Sequence, residues 1–152
     1  MDTILTRPEA AVLILVLVVE SVKALMLGTI TAYQRGKLGK FINAEDANWL
    51  KGEVVTFDEP EPNRLFRAHR NSLENLLPFS LLAMAFLLVS GNSFIGIIYF
   101  VTFSISRLAH SYAYLTCKPM LRRNVYSIAW LVQIIMGIHI LTIFIGSHID
   151  GI

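Results

Sequence analysis

The sequence predicts an all-α fold, an integral membrane four-helix bundle in up-down-up-down order, and three observations carry that prediction. The 152-residue chain is 55% hydrophobic and only 16% charged, with a mean hydropathy of +0.59, well on the apolar side of a soluble domain. Four apolar runs are each long enough for the roughly 20 residues that a bilayer crossing needs. Lys and Arg crowd into alternate connections rather than spreading along the chain.

The spans are expected at residues 10–33, 71–90, 94–116 and 124–149 of a single domain covering 1–152. The first, AAVLILVLVV, is not a cleaved secretory signal: Asp2 and Glu9 spoil a basic leader, and the helix runs on through Glu20 and Lys23 without a small-residue cleavage site. The second and third are joined by the tight turn SGNS, 90–93, and the third and fourth by TCKPMLRRN, 116–124. Short turns make neighbouring helices antiparallel, hence the up-down order.

Charge placement agrees with that order. Ten of the thirteen Lys and Arg (Arg35, Lys37, Lys40, Lys51, Arg64, Arg67, Arg70, Lys118, Arg122 and Arg123) lie in or beside the first and third connections, and the opposite side has only Arg7. The positive-inside rule therefore directs those two connections to the cytosol and both termini to the other side. The long first connection, with NAEDANW (43–49) and FDEPEPN (57–63), reads mainly as a solvated connector. A single cysteine, Cys117, excludes an internal disulfide and any CxxC motif. The histidines lack metal-ligand spacing, so no metal is expected, and neither is a nucleic-acid partner.

Ionisable residues inside spans carry the functional signal, because each costs at least ~2.5–3.5 kcal/mol at a helix centre and calls for a partner or a task. Glu20 and Lys23, three apart, share a face and read as a structural ion pair. Arg70, Asn71 and Glu74 share a face where the second span begins, and Pro78 withholds an N–H from the Glu74 carbonyl. For Arg67 and His69 just before them a solvated capping patch is the bland alternative, and it is weaker for Glu74, whose carboxylate lies inside the apolar block. In the third span Arg107, His110, Ser111 and Tyr114 form a polar stripe that must face protein or water. Arg107 lies ~15 Å from the helix end at 1.5 Å per residue, so a buried counter-charge or an anionic ligand is implied. Arg122, Arg123 and Asn124 stand at the start of the fourth span, a favourable place for an anion, with Tyr126 and Ser127 on its first turn. His139, isolated among apolar residues, reads as structural. Together these groups suit a small ligand with carboxylates for the arginines and an ammonium for the glutamate, in a place that lipid-soluble compounds can also reach.

With RAHRN (67–71) followed by Glu74 and Pro78-Phe79, RLAHS (107–111) with Tyr114, Arg123 before the last span, and FINAEDA (41–47), the chain resembles the MAPEG family, the membrane-associated proteins in eicosanoid and glutathione metabolism. The resemblance covers nearly the whole chain and is nearest to the branch of microsomal prostaglandin E synthase and microsomal glutathione transferases. It implies a homotrimer with glutathione as cosubstrate, bound between subunits toward the cytosolic side, in a bacterial inner membrane or the endoplasmic reticulum. Arg70, Asn71, Glu74, His110, Tyr114 and Arg123 match tripeptide-binding positions, and Arg35 matches an arginine given by the neighbouring subunit. Arg107 and Tyr126 are added to the binding set from the residue reading. Arg123 matches the arginine that stabilises the thiolate, and Asp46 an acidic residue that orients it. The chain departs from the synthase pattern at Asn124, where a serine is usual, and at Ser127, where a tyrosine is.

These residues imply a glutathione transferase, with peroxidase activity in its reach, that attacks hydrophobic electrophiles or lipid hydroperoxides. Arg123 is the expected thiolate stabiliser, assisted by Asn124, Ser127 or Tyr126. A glutathione-dependent endoperoxide isomerase and a non-catalytic lipid-binding protein are the alternatives.

Overall fold

Proline opens three of the four long helices, where its missing N–H costs nothing and its fixed φ suits the first turn. The computed structural model describes residues 4–89 and 92–149. After a 3-10 turn (Ile4–Thr6) come α1 (Pro8–Leu38), β1 (Lys40–Phe41), α2 (Ala44–Leu50), β2 (Glu53–Val54), α3 (Pro60–Val89), α4 (Ser93–Leu115) and α5 (Pro119–Ile149). The four long helices are each long and apolar enough to cross a membrane, and most of their surface is not buried within the chain. Ile14, Leu25, Leu77, Leu88, Ile105 and Leu141 are among the large side chains left outward, a surface that fits lipid rather than water.

Two of these helices begin well before the apolar runs do. The apolar pattern marks where the bilayer starts, whereas α3 and α5 start at Pro60 and Pro119 and carry charged turns ahead of it. α3 stays helical through Pro78. α1 ends on Gly39, whose φ of 65° forms a left-handed cap with its N–H on the Arg35 and Gly36 carbonyls. α4 starts on Asn92, whose side chain accepts the Ile95 N–H at 3.2 Å, while Ser90 and Gly91 of the SGNS turn lie outside the described residues.

The first connection is more than a solvated connector. β1 and β2 pair in parallel, Lys40 with Glu53 and Phe41 with Val54, and α2 lies between them with Ala47 buried. A side chain at Gly52 would come within 2.5 Å of the Gly39 carbonyl oxygen and 2.4 Å of the Phe41 ring, so only glycine lets the strands close. Lys40 Nζ meets Glu59 Oε1 at 2.5 Å and ties this unit to the start of α3.

α1 packs on α3 and α4, α3 on α4 and α5, and α4 most extensively on α5. Their shared core is aromatic: the Phe79 and Phe103 rings stack at 3.7 Å, and Phe100 stands edge-on to both Phe79 and Phe86. Leu13, Val16, Ala83, Ala129 and Met136 fill in around them. A methyl group at Gly96 would sit 3.1 Å from Phe86 and 3.2 Å from Glu9, which shows how closely α4 approaches α1 and α3. His139 is not isolated: its Nδ1 lies 3.2 Å from the Tyr99 hydroxyl and its ring stands against Phe86, a structural role. His69 is likewise no solvated cap, because its Nδ1 donates to the Ala24 carbonyl of α1 at 2.8 Å.

Phe79→Ala should lower stability by about 3–5 kcal/mol. Leu77→Ala, at an outward position 66% exposed, should change it by less than ~0.5 kcal/mol. Thermal melts of the detergent-solubilised variants, with wild type alongside, measure both.

Candidate functional site

The polar groups of α1, α3 and α4 meet in the middle of the bundle. Glu20 is buried on α1, with one carboxylate oxygen taken by Lys23 and the other accepting from Ser104 of α4 at 3.1 Å. The expected Glu20–Lys23 pair is therefore present, and α4 has joined it. Arg107, only 1% exposed, points Nη2 at Asn71 of α3, 2.7 Å from its side-chain oxygen and 3.2 Å from its carbonyl. Among the described residues Glu20 is ion-paired with Lys23, and Arg107 has no ion pair of its own. Arg107 Nε and Nη1, His110 Nδ1, Ser111 Oγ and Ser72 Oγ are buried with no hydrogen-bond partner among the described residues. Groups of this kind cost free energy unless something satisfies them.

Toward the end of the bundle that carries the first and third connections, the stripe continues in aromatic contacts. The His110 ring stands 5.1 Å from Tyr114 and 6.0 Å from Tyr126 of α5, and the Arg122 guanidinium lies 4.6 Å over the Tyr114 ring. Asn71, Arg107, His110, Tyr114 and Tyr126 are thus brought together as the sequence expects.

The remaining predicted residues lie on the outside of the single chain. Arg70 and Glu74 form an i, i+4 ion pair at 3.3 Å, with side chains 66% and 55% exposed. Arg123, Asn124 and Ser127 are exposed on α5, with the Ser127 hydroxyl donating to the Arg123 carbonyl at 3.1 Å. Arg35 is held by a residue the sequence reading passed over: its Nε and Nη2 grip the two oxygens of Asp58 at 2.7 and 2.6 Å. Asp46 lines a cavity of about 200 Å³ with Arg35, Phe41 and Trp49. It accepts a hydrogen bond from the Asn43 amide at 3.1 Å, and no ion pair joins it to Arg123 among the described residues.

A family model described as "MAPEG family" matches residues 11–142, most of the chain. The chain belongs to the MAPEG family. Among curated relatives it is 31% identical to human (Homo sapiens) prostaglandin E synthase over 79% of its own length and 80% of that protein's. It is 36% identical to rat (Rattus norvegicus) microsomal glutathione S-transferase 1 over 67% of its own length and 68% of that protein's. Four apolar helices and this membership make the chain an integral membrane protein.

This MAPEG chain therefore carries two polar sets: an interior one on α1, α3 and α4, and an outward one on α3 and α5. The interior set depends on Glu20. Glu20→Gln leaves the Lys23 ammonium without its ion-pair partner and should cost about 3–5 kcal/mol, whereas Ser104→Ala should cost about 1 kcal/mol. Chemical denaturation in detergent, comparing the two variants, measures the difference.

Proposed function

We propose that this chain is a membrane-bound, glutathione-dependent transferase that works as a homotrimer with its sites between subunits. The observation that carries this reading is the outward polar face. Arg70, Glu74, Arg123, Asn124 and Ser127 are exposed where the charged opening turns of α3 and α5 pass into faces dressed for lipid, and lipid cannot satisfy Glu74 and Ser127, which lie within the apolar runs. A neighbouring copy and a charged tripeptide can. In this reading the tripeptide's ammonium meets Glu74 and its carboxylates meet Arg70 and an arginine, Arg35, from the next subunit. Asn71, His110, Tyr114 and Tyr126 form the wall behind it, with Arg107 as a buried cation. Arg35 would exchange its Asp58 partner for the ligand or share it. The antiparallel order of the spans, with the first and third connections on the cytosolic side, belongs to the same reading.

The protein's chemical task is to favour thiolate over thiol. A thiol with an ordinary pKa near ~8.5 is only a few per cent ionised at pH 7, and lowering it by about two units takes ~2.7 kcal/mol of differential stabilisation. A guanidinium beside hydrogen-bond donors in a partly dry site can supply that much. In this reading Arg123 has that task, and its position at the opening turns of α5 with Asn124 and Ser127 next to it supports the assignment. Asp46, from a neighbouring copy, would orient it. The thiolate then forms a carbon–sulfur bond to a hydrophobic acceptor entering from the bilayer, and the acceptor's leaving group departs with the bonding pair. A lipid hydroperoxide is the other acceptor this site suits.

Similarity to proteins named prostaglandin E synthase favours a second reading, an isomerase that uses the same thiolate and returns the tripeptide unchanged. Asn124 and Ser127 weigh against it as departures from the synthase pattern. Glutathione consumption per product formed separates the two readings.

Arg123→Ala should lower aryl-halide conjugation by about 100-fold or more while glutathione binding stays measurable, since one lost donor to a developing anion is worth that much. Unchanged turnover refutes the assignment. Glu74→Gln should weaken glutathione about tenfold or more in calorimetric titration and leave an analogue without the amino group unaffected, because a hydrogen bond to a charged group contributes ~1.5–3 kcal/mol.

A further inference from the structure

Beside these residues, at the same end of the bundle, lies a cleft of about 410 Å³ that shares only Tyr114 with the proposed glutathione set. Asn63, Arg64 and Arg67 from the opening turns of α3 form one wall, Tyr114 and Arg122 from α4 and α5 the other, and Asp58 lies at its edge. Both oxygens of Asp58 are already held by Arg35, so its charge is offset before it reaches the cleft. That leaves three guanidinium groups facing one space.

None of the three has a carboxylate partner among the described residues. Arg64 directs Nη1 to the Cys117 sulfur, and its Nε is buried without an acceptor. Arg122 rests on the face of Tyr114. Cys117 and Tyr114 thus hold Arg64 and Arg122 without a carboxylate, Arg67 is exposed beside them, and three like charges around one cleft repel unless an anion joins them. Guanidinium forks match the oxygens of a phosphate, and a dianion answers three cations better than a single carboxylate does. The Tyr114 hydroxyl and the Asn63 amide add neutral donors at the rim.

We propose that this cleft binds a phosphomonoester dianion, gripped by Arg64, Arg67 and Arg122, as a site distinct from that of the tripeptide. The group can come from a soluble phosphate or from the headgroup of a phosphomonoester lipid, since the cleft is lined by the charged turns of α3 that precede its apolar run. The assignment does not rest on the transferase reading and stands or falls without it.

The full-length protein in detergent at low ionic strength is titrated calorimetrically with inorganic phosphate. In parallel it is placed in nanodiscs of phosphatidylcholine with or without phosphatidic acid, and retained lipid is read by native mass spectrometry. Wild type and R64Q/R122Q are compared, with R67Q, a change at an exposed position, as the variant that carries the test if the double variant is not monodisperse. Saturable phosphate binding weakened tenfold or more in the variants supports the site with a soluble ligand. Retention of phosphatidic acid that the variants lose, without binding of free phosphate, supports it with a lipid ligand. Neither signal, or equal signals in wild type and variants, overturns it. Displacement of phosphate by glutathione, with the variants equally weak for both, assigns the cleft to the tripeptide and also overturns it.

Discussion

One carboxylate, Glu20, holds the interior of this bundle together. It is buried, answers Lys23 on its own helix and receives Ser104 from α4, the helix that also carries Arg107. Arg107 in turn reaches α3 through Asn71. Three helices therefore meet through a polar network in a place where hydrophobic contact alone would not define their register, because lipid tails compete equally well for apolar surface. The stacked Phe79 and Phe103 rings on one side of that network have a fixed partner only if the register is right.

The chain divides its polar groups between inside and outside in a way that a lone bundle does not need. The interior set is bound mainly to itself, with a few donors left over; among the described residues, the outward set on α3 and α5 pairs within its own turn, Arg70 with Glu74 and Ser127 with the Arg123 carbonyl. Between them the folded first connection, closed at Gly52 and tied down by Arg35–Asp58 and Lys40–Glu59, keeps the start of α3 rigid above the apolar zone. A cationic cleft forms there because α3 extends past the membrane run instead of beginning with it.

Much of this was legible in the sequence, for physical reasons. Apolar length gave the four spans, and a spacing of three gave Glu20–Lys23, because both are local properties of a helix. The polar stripe from Arg107 to Tyr114 was legible as a face, and that face does meet Asn71. The true start of α3 was not legible from hydropathy, since its first turns are charged; Pro60 and Pro119 were the available signals. Asp58, twenty-three residues from Arg35, and Tyr99, forty from His139, were hidden because pairing over such separations is set by packing rather than by spacing. The partner of His69 was hidden for the same reason: nothing near it in sequence announces the Ala24 carbonyl.

The burial of Arg107 has a consequence for how the chain is made. α1 brings its own neutralised pair and can enter the bilayer alone, whereas α4 carries a guanidinium that lipid charges at least ~2.5–3.5 kcal/mol to accept. Its amide partner, Asn71, lies on α3, and the acid that binds Ser104 of the same helix lies on α1, both synthesised earlier. Biogenesis therefore favours holding the first two spans beside the insertion machinery until the third arrives, so that order of translation becomes order of assembly.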